Sequence, residues 1–223
     1  MSYKVFLSPS NQDDNPYAIG DTTEACECGH IADFCGIALD RSGVDVMIRH
    51  MDSMAAKCAA ANAWRADLYV CIHTNATVEH KYTGGTNVFY YSTESRGYTA
   101  ARSILAELGP ITPGKADATS ARPGLYEMKT PNAPVAYVEV EFHDTDQGAA
   151  WILSHEREAG EAIARGICKY LGVEYKAEHA APESSKVFTV QLGAFKNRSG
   201  AEILRDELRA AGYDGAFIKE VIL

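Results

Sequence analysis

Glu139 and Glu141 stand two apart in Ala136-Tyr137-Val138-Glu139-Val140-Glu141-Phe142, a stretch otherwise apolar enough for a buried strand. Alternation along a strand points both carboxylates to one face. Two buried carboxylates side by side are costly unless a cation or hydrogen bonds compensate them, and a metal ion would do so. His73 closes a second apolar run, Leu68 to Ile72, of the kind buried on both faces of a parallel sheet. That places its imidazole at the strand's C-terminal edge, with Asn75 just beyond and His143 at the matching edge after Glu141. Asn11 and Gln12 follow the first apolar run, and Glu24 opens a helical pattern. In open α/β sheets, ligands collect beyond the C-terminal strand ends, so these residues form one candidate rim. Two of them also have a plain structural reading: Glu24 as a helix-start carboxylate favoured by the dipole, and His73 as a rim histidine bonded to loop backbone.

The elements that must position this rim alternate along the chain. Residues 3–7 read as a strand, 24–41 as a helix with Ile31, Phe34, Cys35 and Ala38 at helical spacing, and 44–48 as a strand. A helix over 51–63 precedes the 68–73 strand. Next come a strand over 86–91, a helix over 95–108, a strand over 133–142 and a closing helix over 151–171. This alternation predicts an α/β fold with a mainly parallel sheet flanked by helices.

After Gly172 the pattern changes. Residues 174–185 are polar and proline-bearing, as a linker is. Residues 186–223 divide into strand, helix and strand, a βαβ unit that buries little surface alone. The expected organisation is a large domain over 1–173, a linker over 174–185 and a small unit over 186–223. At roughly 150 residues per domain, 223 residues allow that division.

Composition excludes several classes. The formal net charge is -9, with 14 Lys and Arg against 22 Asp and Glu up to Val173 and 7 against 8 beyond it, so neither part has the basic surface of a nucleic-acid binder. No run approaches the roughly 18 apolar residues of a membrane span. The first residues lack the basic start and apolar stretch of a secretory signal, which predicts synthesis in the cytoplasm. The six cysteines are expected as free, mostly buried thiols, and the Cys26-x-Cys28 pair is not expected to bind zinc, because helix neighbours two apart diverge.

Several ordered motifs together resemble the type 3 zinc-dependent N-acetylmuramoyl-L-alanine amidases. They are Arg49, Asp52, Ala61-Asn62, Ala66-Asp67 and Ile72-His73-x-Asn75, then the Glu139 strand and the closing helix with its Ala-x-Gly-Ile-x-x-Tyr end. The resemblance covers about residues 3–173. It implies hydrolysis of the amide between N-acetylmuramic acid and L-alanine in peptidoglycan, with Glu24 and His73 as zinc ligands and Glu139 as the catalytic carboxylate. Apart from the resemblance, Asn11, Gln12, Asn75 and Glu141 on the rim are candidate substrate contacts, as is Arg122 in the loop before the last strand, for which a solvated loop is the favoured reading. The family's first strand would end in Asp-Pro-Gly-His-Gly, but here Ser8-Pro9-Ser10-Asn11-Gln12 puts Asn11 where the family has a zinc-binding histidine. His143, at the same strand edge as Glu139 and His73, is the favoured third ligand. His30, a weak or water-mediated contact from Asn11 or Gln12, and the absence of zinc are the alternatives. His50, His80, His155 and His179 receive no role.

The C-terminal stretch, carried by Val190-Gln191-Leu192-Gly193-Ala194-Phe195, Ala201, Leu204 and Ala211-Gly212-Tyr213, resembles the first half of a SPOR domain. That implies glycan contacts from Gln191 and Phe195. It also suggests a homodimer in which two chains pair their half-units. The expectation is a phage or prophage endolysin that acts on the cell wall after release. The competing class is a metal-free amidase-like protein that only holds peptidoglycan, or a zinc hydrolase of another amide.

Overall fold

The computed structural model describes residues 2–77, 84–178 and 197–210. Six strands form one sheet: β1 (Lys4–Pro9), β2 (Asp45–Ile48), β3 (Leu68–Asn75), β4 (Asn87–Tyr90), β5 (Ala118–Ala121) and β6 (Val135–Phe142). Their order is β2-β1-β3-β6-β4-β5. The first four run parallel, β4 runs antiparallel to β6, and β5 is parallel to β4. The α/β, mainly parallel expectation holds.

Helices α1 (Glu24–Arg41), α3 (Arg96–Leu108) and α5 (Asp146–Leu171) bury the larger core against one face, with Val5, Leu7, Val70, Ile72, Val138 and Val140 beneath them. Helices α2 (Met54–Trp64) and α4 (Tyr126–Lys129) belong with a smaller cluster that includes Phe6, Tyr69, Cys71 and Val135. Helix starts follow their caps. Ser53 accepts from Ala56 N, so α2 begins at Met54 rather than 51, and Thr145 accepts from Gly148 N, so α5 begins five residues before the expected Trp151.

The α1, α3 and α5 layer is held tightly by small residues. A Cβ on Gly166 of α5 would run into the backbone of Ile104 in α3. In an exposed helix Gly→Ala would stabilise by about 1 kcal/mol. Here the clash is with backbone, so Gly166→Ala is expected to cost about 1–3 kcal/mol net, read as a lowered Tm.

Under the smaller face lies a buried polar group. Lys57 donates to the Pro9 carbonyl, and the Glu127 carboxylate accepts from Ser8 Oγ and Tyr69 Oη, each at 2.6 Å. Burial pulls the Lys57 amine below its usual value, while Glu127 opposes that shift. The network anchors the end of β1, from which the Asn11 loop departs.

The chain divides into two compact units, Met1–Glu178 and His179–Leu223. In the second, helix α6 (Arg198–Ala210) begins behind Asn197, whose Oδ1 accepts from Gly200 N at 2.9 Å. Ala201, Leu204 and Leu208 are half-buried along it. Gln191, Phe195 and the stretches expected as flanking strands lie outside the described residues.

Candidate active site

The parallel pairing of β3 with β6 makes His73 and Glu139 register partners. Above them sits the start of α1, where Thr23 caps the helix and Glu24 is buried. Glu24 Oε1 lies 2.8 Å from His73 Nδ1, and Oε2 accepts from Asn15 Nδ2 at 2.6 Å. Gln12 Nε2 reaches Oε1 at 3.4 Å. The loop is fixed to the helix start by Glu24 N donating to Asn15 O and Ala25 N to Gln12 O. Burial raises the Glu24 carboxyl, but His73, Asn15 and Ser10 outweigh it and hold the group below the usual carboxylate value.

Glu139 is the opposite case. Its Oε2 is buried and has no hydrogen-bond partner among the described residues. Burial, aided by the Glu24 charge and opposed by His73, pushes it up to about 7. A carboxyl poised near neutrality beside a histidine suits proton transfer.

Tyr137, unremarked in the sequence beyond its place in the apolar run, stacks on His73 with centroids 4.5 Å apart. Phe89 stacks on Tyr137 at 6.0 Å, and the exposed Arg122 guanidinium lies 5.2 Å above Phe89. A row of rings thus leads from the histidine across β6 and β4 to a cation. Its signal in the sequence is period two along β6, which puts Tyr137 on the face of Glu139. Asn15 has no such signal; nothing in a polar loop marks its amide as one that meets Glu24.

Two expectations are corrected. Between the His73–Glu139 and Asn75–Phe142 pairs, β6 carries one residue more than β3, a β-bulge. The bulge breaks the alternation that would have kept Glu141 beside Glu139. The Glu141 carboxylate is instead fully buried and accepts from the backbone amides of Gly85, Gly114 and Phe142. It organises loops and is not presented to substrate. His143 is likewise not brought to Glu24 and His73. Its Nδ1 faces Thr74 Oγ1 at 2.9 Å and the Thr74 carbonyl at 3.1 Å, and its ring stacks on Tyr17. Thr74 follows His73 and so points to the other side of β3. Burial lowers the His143 imidazole below its usual value.

The other rim residues are placed as follows. Asn11 donates to the Asp52 carbonyl at 3.1 Å, Gln12 is exposed apart from its Glu24 contact, and Asn75 Oδ1 accepts from Ala76 N. His30 is exposed and pairs with Glu27 and Glu156, away from His73. A carboxylate, an imidazole and an unpartnered buried carboxyl fit a zinc ion in donor type, with Glu24 and His73 in place to hold it.

Residues 5–169 match the profile of the N-acetylmuramoyl-L-alanine amidase family, which is most of the chain. The chain belongs to that amidase family. Residues 184–222 match the SPOR domain. The chain is 25% identical over 168 residues to the N-acetylmuramoyl-L-alanine amidase CwlM of Bacillus licheniformis, covering 74% of this chain and 62% of that protein. The fold resembles the catalytic domain of CwlV, an amidase from Bacillus (Paenibacillus) polymyxa, with a TM-score of 0.67 at 16% identity over 77% of this chain and 99% of the other. It also resembles the amidase AmiC2 of Nostoc punctiforme, with a TM-score of 0.65 at 20% identity over 76% and 97%. The amidase fold therefore spans the first unit, with Glu24, His73 and Glu139 gathered at its strand edge.

Proposed function

We propose that this amidase cleaves the amide bond between N-acetylmuramic acid and the L-alanine of the peptidoglycan stem peptide. The observation that carries the reading is the Glu139 carboxyl beside His73, whose Oε2 is buried without a hydrogen-bond partner among the described residues and which is raised toward neutrality. Glu139 takes a proton from the attacking water. The water oxygen bonds to the lactyl carbonyl carbon, the C–N bond breaks, and Glu139 returns the proton to the departing alanine nitrogen. Glu24 and His73 would hold a zinc ion, which supplies Lewis acidity for the scissile carbonyl and for the water. Asn15 and Gln12 keep Glu24 oriented, and Tyr137 holds the His73 ring plane.

The third ligand is open to Asn11 or Gln12, with His143 reaching the pair only if it leaves Thr74. Digestion of purified peptidoglycan with zinc supplied tests the reading: new alanine N-termini should appear with the wild type and not with Glu139→Gln. Retained wall binding with no release by the wild type would favour the metal-free binder, the reading that Asn11 in the histidine position supports.

Arg122, at the end of the ring row, would pair with a stem-peptide carboxylate. Arg122→Ala is expected to raise KM about tenfold with kcat and Tm unchanged, the worth of one charged hydrogen bond. The SPOR unit would hold glycan strands through Gln191 and Phe195, and two chains would pair their half-units. A monomeric mass by light scattering would rule the pairing out. The biological setting that fits these parts is a phage or prophage endolysin, and lysis of cells from within by co-expression with a membrane-permeabilising protein tests it.

A further inference from the structure

On the outer side of α1, three donor side chains that the amidase reaction does not use converge, with a fourth from α5 beside one of them. Cys26 and His30 stand four apart and so share a helix face, and Glu27 lies between them in sequence. One donor atom from each of the three lies within 4.8 Å of the other two. From α5, Glu156 Oε1 comes to 3.2 Å from His30 Nδ1, while Glu27 Oε2 lies 3.4 Å from the same nitrogen.

We propose that Cys26, Glu27, His30 and Glu156 form a second metal site, for zinc or a similar thiophilic divalent ion, that clamps the first turns of α1 to α5.

Three features favour an ion over a plain hydrogen-bonded cluster. First, one imidazole nitrogen carries at most one proton, yet two carboxylates lie within 3.4 Å of it, a gathering of acidic oxygens that a metal ion would neutralise.

Second, the carboxylate of Glu27 is oriented from outside. Its residue is buried, and its Oε1 accepts from the Thr22 hydroxyl, which leaves Oε2 directed at the cluster. Outer-shell hydrogen bonds of this kind fix the carboxylates of metal sites. Glu156 is likewise set by a local irregularity. His155 interrupts α5 with φ -132° and ψ 20°, and its ring stacks on Trp151.

Third, the donor set is selective. Oxygen ligands alone would suit magnesium or calcium, whereas a thiol and an imidazole with two carboxylates match zinc and its chemical relatives. Cys26 is also exposed, whereas the other five cysteines are buried. An exposed thiol on a helix contributes nothing to packing. Binding would release the thiol proton and any proton shared by the carboxylates. Because Glu24 begins the same helix, the clamp would also steady the residue that meets His73.

Cobalt(II) is the probe, because a thiolate ligand gives a ligand-to-metal charge-transfer band and no cysteine belongs to the Glu24–His73 pair. The full chain, stripped with a chelator, is titrated with cobalt. The expected result is a one-equivalent thiolate band that persists in His73→Ala, disappears in Cys26→Ser, and is displaced by zinc. His30→Ala should weaken zinc binding at least tenfold. Zinc should raise the Tm of His73→Ala but not of the His73→Ala, Cys26→Ser double variant. The absence of a thiolate band in the wild type, or a band that survives Cys26→Ser, overturns the site. Either outcome leaves the amidase reading untouched, since that rests on peptidoglycan hydrolysis.

Discussion

Glu139→Gln is expected to lower the hydrolysis rate by about 10²–10⁴-fold, the usual contribution of a general base, while making the metal-free protein more stable at alkaline pH. In the unfolded chain this carboxyl titrates near 4.5, and in the fold near 7. Between those values the folded protein binds a proton that the unfolded chain has lost, so stability falls as pH rises through this window. Above pH 7 the deficit is fully present, about 3 kcal/mol for a shift of this size. Glutamine cannot ionise, and its amide, itself without a partner, costs about 1 kcal/mol. The variant should therefore gain about 2 kcal/mol over wild type at pH 8 in the presence of a chelator and lose about 1 kcal/mol at pH 4. Thermal unfolding at the two pH values measures this. A Tm that is lower for the variant at both would show that the carboxylate has partners in the fold. Loss of activity together with a gain in stability separates a functional group from a structural one.

Glu141→Ala should do the reverse. The carboxylate is fully buried and receives amides from Gly85, Gly114 and Phe142, at 2.9 Å for Gly85 and Phe142 and 3.3 Å for Gly114. Truncation leaves these donors without an acceptor. Each unsatisfied buried group costs about 1–3 kcal/mol, so a loss of about 3 kcal/mol or more is expected. Gly85 and Gly114 cannot easily adapt, because a Cβ on Gly114 would already overlap the backbone nitrogen of Gly85. Chemical denaturation should show the loss, and KM of the folded fraction should be unchanged. An unchanged stability with a raised KM would return Glu141 to the substrate. Glu141→Gln, which keeps an acceptor oxygen, should lose less.

The fates of these two glutamates show how far the sequence can be read. Periodicity marks the buried strands, because burial on both faces demands continuous apolar runs such as Leu68–Ile72. It also places His73 and Glu139 at one strand edge, and register pairing agrees. The four-residue elements β5 and α4 are too short to show a period, so the sequence does not distinguish them from loop. Helix starts shift wherever a cap lies inside or outside the apolar pattern, as at Ser53 and Thr145.

The residue types needed for hydrolysis, and the strands that carry them, were determined by the sequence itself. The tertiary structure decided which of those residues meet. One extra residue in β6 separated Glu141 from Glu139, Thr74 engaged His143, and α1 brought Glu24 to His73 across 49 positions of chain. A bulge and a long-range contact depend on how strands pair and helices pack across the whole sheet, and a local pattern of residues contains neither.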